Sequence, residues 1–280
     1  MKNRAYFQCD DIEVYDNCVS AMRDVYKGEP LQHKPRLRGM KDNIELSYAE
    51  YDRLFNVNDL INIQQPQRNV DERSSLIYLY ESNNNVIKKL KNNIRKCQDE
   101  HLQNICPNCG ILPSNTVDHY IPKDQFFDFS IFPKNLIWIC GTCNSKKLNY
   151  WKEPAHRGII NFYLDNIPKF RFLKCEITSR GNNVLRAKWD IIDEKLDSYP
   201  IVKQHFKRLD IIKLYNDHAP DKMGELVMQI SAYKDVITED QVKKILFKEF
   251  RSRIKLFGVN DWKATLLRAF ISGEFYKLYL

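Results

Sequence analysis

Along most of the chain, apolar side chains recur every three or four residues, the spacing of one helix face. In residues 10–27, Val14, Cys18, Met22 and Val25 or Tyr26 keep that spacing and predict a short first helix; GEPLQHKPRLRG then breaks it with glycine and proline. Ser47 and Glu50 form a capping-box pair ahead of Tyr51, Leu54 and Phe55, which predicts a second helix starting there. Residues 64–75, QQPQRNVDERSS, are polar, contain proline and read as a linker or long loop. Leu79, Val86, Leu90 and Ile94 then predict a long helix from Leu76 to about Leu102, with the asparagine run at 83–85 as its weak point.

Past Trp151 the pattern changes. KFRFLKCEIT and VLRAKWDII flank SRGNN, predicting a β-hairpin that turns near Gly181 and Asn182. Tyr199 and Pro200 open a helical region, in which Val202, Phe206, Leu209 and Ile212, then Met223, Leu226, Val227, Ile230 and Tyr233, recur at helical spacing. Thr238 with Gln241 forms a second capping-box pair, leading Val242, Ile245, Leu246, Phe250, Ile254 and Phe257 to Gly258 as a stop. Asn260 is placed as the cap of a last helix. The expected organisation is a helical segment over 1–72, a core with its lead-in helix over 73–166, and a hairpin followed by helices over 167–280.

Composition narrows the class. The chain has 280 residues, 43% hydrophobic and 29% charged, as ordinary globular proteins do. No apolar run is long enough for a bilayer, and the charged start MKNRAYFQCDDIE does not read as a signal peptide, so a cytoplasmic protein is expected. In a reducing compartment eight cysteines point away from disulfides, and four of them form two CxxC pairs, a metal-binding signature. Cys9, Cys18, Cys97 and Cys175 are scattered and read as small buried side chains. The formal charge of +8 is uneven: Lys88, Lys89, Lys91, Arg95 and Lys96 crowd residues 88–96 with no acid, and residues 241–280 hold nine bases against three acids. Such runs are either solvated helix faces or phosphate-binding surfaces.

The chemistry gathers between Cys106 and Lys147. CPNCG and CGTCN each turn two thiols toward one ion, so Cys106, Cys109, Cys140 and Cys143 suit a closed, structural Zn²⁺. Between the pairs, Asp118 and His119 put a hard oxygen ligand beside the side chain best suited to general base work near neutral pH. Neighbours on a strand point to opposite faces, so both serve one site only if the strand ends or bends there, and Ile121-Pro122 supplies a bend. Asn144, at the start of the expected helix, offers an amide oxygen that with Asp118 suits Mg²⁺ or Mn²⁺; alternatively it caps that helix. Asn135 is placed to brace the loop carrying His119. Lys147, three residues past Asn144, and Lys123 are placed to meet phosphate or to remain solvated. The expected order is knuckle, short strand, long loop, short strand, knuckle, helix.

CPNCG, VDHYIPK, the KNL containing Asn135 and CGTCNSKK together resemble the HNH nuclease family, with Asn144 in place of the last His. The resemblance implies an α+β protein in which a small zinc-stapled ββα-metal core is embedded in a mostly α-helical chain with one extra β-hairpin. It implies His119 as general base, Asp118 and Asn144 as ligands of one divalent metal, Asn135 as the orienting residue and the four cysteines as zinc ligands; Lys123, Lys146 and Lys147 are expected, from their charge and place, to face nucleic acid. The implied activity is metal-dependent endonucleolytic hydrolysis, most naturally of DNA. A weaker likeness, in DHYIPKDQFFDFSIFPKNL with the hairpin and helical tail, is to HNH proteins that bacteria encode beside an ATPase partner in anti-phage defence. Many of those carry a HisPro pair where this chain reads Asn161-Phe162. The rival expectation is a non-catalytic zinc-ribbon module that docks nucleic acid or protein.

Overall fold

Side-chain caps, beside the apolar stripes, set where six of the described helices begin, at Asp10, Asn69, Asn84, Cys140, Thr238 and Asp261. The computed structural model describes every residue except 27, 28 and 181–183. Two units separate, one of Asn3–Pro107 with Leu112–Asp165, the other of Met1–Lys2, Asn108–Ile111 and Asn166–Leu280. The expected division at 72 and 73 falls inside the first unit, and that at 166 and 167 lies at the edge of the second.

In the first unit, α1 (Asp11–Ser20) starts where the Asp10 carboxylate accepts from the Ile12 and Glu13 amides at 3.0 and 2.9 Å, and it is shorter than its stripe. The expected break holds more structure than its glycine and prolines suggest. The strands β1 (Val25–Tyr26) and β2 (Glu29–Pro30) pair antiparallel, and α2 (His33–Gly39) takes Pro35 in its first turn, where a missing N–H costs little. The next helix, α3 (Lys41–Asn56), begins well before Ser47, because Met40 and Ile44 are buried and extend the stripe by a turn. Ser47 is therefore mid-helix, its hydroxyl 3.0 Å from the Asn43 carbonyl and 2.6 Å from the buried Asp128 carboxylate.

Residues 64–75 are also only partly loop. Asn69 and Glu72 satisfy each other's amides at 3.0 and 2.9 Å in a capping box that starts α4 (Val70–Glu81). The expected long helix breaks at the asparagines: Asn83 is left-handed (φ 43°), and Asn84 caps α5 (Asn85–Lys96) by accepting from Val86 and Ile87 at 3.1 Å. Both helices precede a small hairpin in which β3 (Thr116–His119) pairs antiparallel with β4 (Leu136–Ile139), Asp118 opposite Ile137 and His119 opposite Leu136. The seven-residue α6 (Gly141–Lys147) follows. Leu90 and Ile94 of α5 pack with Leu136 of β4 in one buried cluster, each stabilising by about 2 kcal/mol when buried. Thus α5 is the platform on which the hairpin rests.

The second unit opens with β5 (Leu173–Arg180) and β6 (Val184–Ile191), paired antiparallel in the register Leu173 to Ile191; the expected turn at Gly181 and Asn182 lies outside the described residues. Five helices follow: α7 (Pro200–Leu209), α8 (Ile211–Asp217), α9 (Ala219–Ser231), α10 (Glu239–Phe257) and α11 (Trp262–Ser272). Left-handed Asp210 (φ 52°) separates α7 from α8, the Thr238–Gln241 capping box starts α10, and Gly258 (φ 90°) stops it. Asn260 is not the last cap. Asp261 accepts from Ala264 at 2.8 Å, its charge favoured at a helix N-terminus, whereas Asn260 uses both ends of its amide to hold the start of β5. The fully buried Trp189 packs on Trp262 and Tyr215. With helices and three two-stranded sheets among the described residues, the protein is α+β, and no described helix is long and apolar enough to cross a membrane.

Candidate active site

Four buried thiols come together where the two knuckles meet. The ligand atoms of Cys106, Cys109, Cys140 and Cys143 all lie within 4.8 Å of one another. Backbone geometry brings them there. Ile105 bridges to Pro113, the Cys106 amide donates to the Leu112 carbonyl at 2.9 Å, and Gly110 takes a positive φ of 69° to close the first knuckle. At the second knuckle Cys140 caps α6, its sulfur accepting from the Cys143 amide at 3.3 Å. A thiolate that accepts an amide proton is better stabilised, and four such ligands leave no open position. The donor set fits a structural Zn²⁺.

Asp118 and His119 end β3 and, as strand alternation requires, meet different neighbours. The His119 ring is buried (7% exposed), and its Nε2 hydrogen is donated to the Ser130 carbonyl at 2.8 Å, which leaves Nδ1 with the lone pair. Tyr80 meets the same ring in a T-shaped contact, centroids 4.5 Å apart. Burial holds the imidazole neutral, with its pKa pushed down to about 3 against the opposing pull of the Ser130 bond. Burial raises the Asp118 carboxyl above its ordinary range, partly offset by Lys147.

Lys147 is buried rather than solvent-facing. Its side chain is 1% exposed, with Nζ 3.2 and 3.1 Å from the two Asp118 oxygens and 2.8 Å from the His119 carbonyl. Lys147 is the last residue of α6, and Leu148 then leaves the helix at φ 51°. Asn144 sits within α6, not at its cap, which is Cys140; its half-exposed side chain makes no hydrogen bond among the described residues. Asp118 retains lone pairs beyond those facing Lys147, and the Asn144 amide oxygen is a second hard donor of the kind Mg²⁺ or Mn²⁺ takes.

Asn135 is fully buried and braces the intervening loop. Its Oδ1 accepts from the Ile121 amide at 2.8 Å, and Nδ2 donates to the Ile121 and Phe129 carbonyls at 3.0 and 3.2 Å. The Tyr120 amide donates to the Asn135 carbonyl at 2.8 Å, so both ends of the residue fix the segment just past His119. Lys123 lies near Asp124 and Glu81, at 3.1 and 3.4 Å, and Lys146 is half-exposed in the last turn of α6. Ser130 and Tyr80 touch the imidazole without having been singled out in the sequence. A backbone carbonyl and a ring edge leave no motif.

The model of the HNH endonuclease family matches residues 102–149, the stretch that holds the knuckles, β3, β4 and α6. Residues 102–149 are an HNH endonuclease domain. The HNH domain starts just before the first knuckle and ends as α6 does, so α5 and Tyr80 lie outside the family's own pattern. Protein ea31 of Escherichia phage lambda is 24% identical over 190 residues, covering 60% of this chain and 62% of that protein's length. No solved structure matches the chain.

Proposed function

We propose that the HNH domain hydrolyses phosphodiester bonds in nucleic acid, DNA in the first place, with His119 as the general base. The observation that carries this reading is the Nε2–H bond to Ser130, which selects the tautomer with an unprotonated Nδ1. Nδ1 takes a proton from water, the water oxygen bonds to phosphorus, and the opposite P–O bond breaks, its oxygen leaving to be protonated by solvent. As the imidazolium forms, the Ser130 carbonyl stabilises it. Asn135 keeps the His119 loop from shifting, and proximity of this kind is worth orders of magnitude in rate. Asp118 and Asn144 would hold a Mg²⁺ or Mn²⁺ ion, which when bound stabilises the charge that develops on phosphate. Lys123 and Lys146 would meet flanking phosphates.

Plasmid incubated with the purified protein and Mg²⁺ or Mn²⁺ should be nicked or cut, and EDTA should stop it. His119→Ala should lower the rate by at least about a hundredfold while zinc content stays unchanged. Cleavage by His119→Ala at the wild-type rate would remove the imidazole from the chemistry. The proposal extends to a cytoplasmic effector of anti-phage defence beside an ATPase, supported by the likeness of DHYIPKDQFFDFSIFPKNL to such proteins. Tagged His119→Ala protein recovered from its host without an ATPase would withdraw that part.

A second reading, a non-catalytic zinc-ribbon docking module, draws on the Lys147 ammonium, which already faces both Asp118 oxygens. It expects nucleic-acid or protein binding, and no cleavage with any divalent ion.

A further inference from the structure

Beside the HNH domain, α5 and the β3–β4 hairpin enclose a groove of about 460 Å³ whose walls carry Lys88, Lys91, Arg95, Tyr80 and Trp138. The three cations lie three and four residues apart on α5 and so share one helix face. The helix contains no acid, and among the described residues no carboxylate pairs with any of the three. Lys91 and Arg95 are half-buried all the same. Desolvation pulls both of their pKa values down with no acidic neighbour to offset it, and the buried Nε of Arg95 has no hydrogen-bond partner. Partly desolvated cations without a counter-charge are costly unless an anion arrives.

Four contacts fix Lys91 and Arg95 in advance, two of them hydrogen bonds, from Lys91 Nζ to Asn83 Oδ1 at 3.2 Å and from Arg95 Nη2 to the Ser114 carbonyl at 3.0 Å. The Lys91 ammonium sits 4.2 Å from the centre of the Tyr80 ring, and the Arg95 guanidinium 3.6 Å from that of Trp138. Trp138 is itself held by its indole N–H on the Lys91 carbonyl at 2.7 Å. Because the cations cover these ring faces, the rings do not offer themselves as stacking platforms for bases. The groove is thus built for charge rather than for base edges. Tyr80 joins it to the chemistry, since its ring meets that of His119 edge to face with centroids 4.5 Å apart.

We infer that this groove seats the sugar–phosphate backbone of the nucleic acid delivered to His119, with Lys88, Lys91 and Arg95 as its phosphate contacts. The inference rests on the nucleic-acid-cleavage reading and adds to it a substrate path whose phosphate contacts lie outside the family's own segment. Contacts to phosphate carry no sequence information, so the groove grips any sequence alike.

The test uses full-length, zinc-loaded His119→Ala protein and a short fluorescent DNA duplex, with anisotropy read over a range of salt concentrations. Adding Lys88→Gln and Lys91→Gln should weaken binding by about tenfold or more and flatten the log–log salt dependence by about 0.9 for each phosphate contact removed. Arg95→Gln alone should flatten it by about 0.9. A Lys243→Gln/Lys244→Gln control on α10 should leave both unchanged. Melting temperature and zinc content show that each variant is folded. Equal affinity and slope in the folded Lys88/Lys91 variant overturns the inference, as does a parent that binds no duplex or is displaced more readily by polyglutamate than by DNA. If the wild-type protein cuts nothing but the double variant still loses duplex binding, the groove stands and the cleavage reading falls. If the wild-type protein cuts and the double variant cuts with unchanged kcat/KM, the groove falls alone.

Discussion

The Asp118–Lys147 pair concentrates the residue-scale question, because one carboxylate is asked to face an ammonium and to hold a metal. Removing the ammonium leaves a buried carboxylate without its counter-charge, and Lys147→Met should cost about 3 kcal/mol of stability, read by urea unfolding without added divalent ion. A divalent ion would restore that charge. Mg²⁺ or Mn²⁺ should therefore raise the melting temperature of Lys147→Met more than that of the wild type, with the zinc site kept saturated in both. Equal shifts would mean that no ion reaches Asp118. Sequence spacing placed Lys147 on the helix face of Asn144 and suggested phosphate, since i and i+3 are neighbours on a helix. What it could not carry was the burial of this helix position, which makes Lys147 the mate of Asp118. Asn135 was legible for the opposite reason: its bracing bonds reach backbone close by in the chain, at Ile121 and Phe129.

At the scale of elements, the zinc clasp couples a ligand set to a helix cap. Cys140 belongs to the four-thiol set that fits Zn²⁺ and is also the N-cap of α6, so losing the metal should unwind the helix that carries Asn144 and Lys147. Cys143→Ser should lose stoichiometric zinc, measured by atomic emission, and with it helical signal and unfolding cooperativity; four-thiolate zinc contributes on the order of 10 kcal/mol. A Cys143→Ser protein that is zinc-free and equally stable would show the clasp to be dispensable. Caps decide what was legible elsewhere too. The Thr238–Gln241 box starts α10 as its sequence suggests, but the same Ser-x-x-Glu pattern at Ser47 is overridden, because Met40 and Ile44 bury and pull α3 a turn and a half upstream. Asn69 hid in a polar stretch that reads as loop. Asn84→Ala should cost about 1 kcal/mol, as expected of an N-cap, and also lose the bond from its Nδ2 to the Cys18 carbonyl. Chemical denaturation checks that figure, and a neutral result would deny Asn84 the capping role.

For the whole molecule, charge and protonation matter more than any one contact. Of the nine bases of residues 241–280, four are paired where they lie: Lys243 with Glu274, Lys244 with Asp240, Lys277 with Glu239 and Glu274, Arg253 with Asp261. A run read from sequence counts charges but not their neighbours, so it could not rank this stretch below α5, whose cations have no such partners. Protonation brings in His205, fully buried, with Nε2–H donated to the Asn108 carbonyl at 3.2 Å and its pKa pushed down to about 4 by burial. The unfolded chain binds a proton near pH 6.5, and the folded one refuses it until about pH 4. Stability attributable to this ring is thus complete above about pH 6.5 and is lost as pH falls toward 4, because the unfolded state takes up the proton first. His205→Gln keeps an N–H for the Asn108 carbonyl and removes the titration. Between pH 7 and about pH 5, wild-type unfolding free energy should fall by roughly 2 kcal/mol more than that of His205→Gln. Zinc held in excess at both pH values makes thiolate protonation common to the two proteins, so it cancels in the difference. The same fall in both would show that this imidazole takes up its proton in the fold as readily as in the unfolded chain, which its complete burial and the absence of any acid among the causes of its shift argue against.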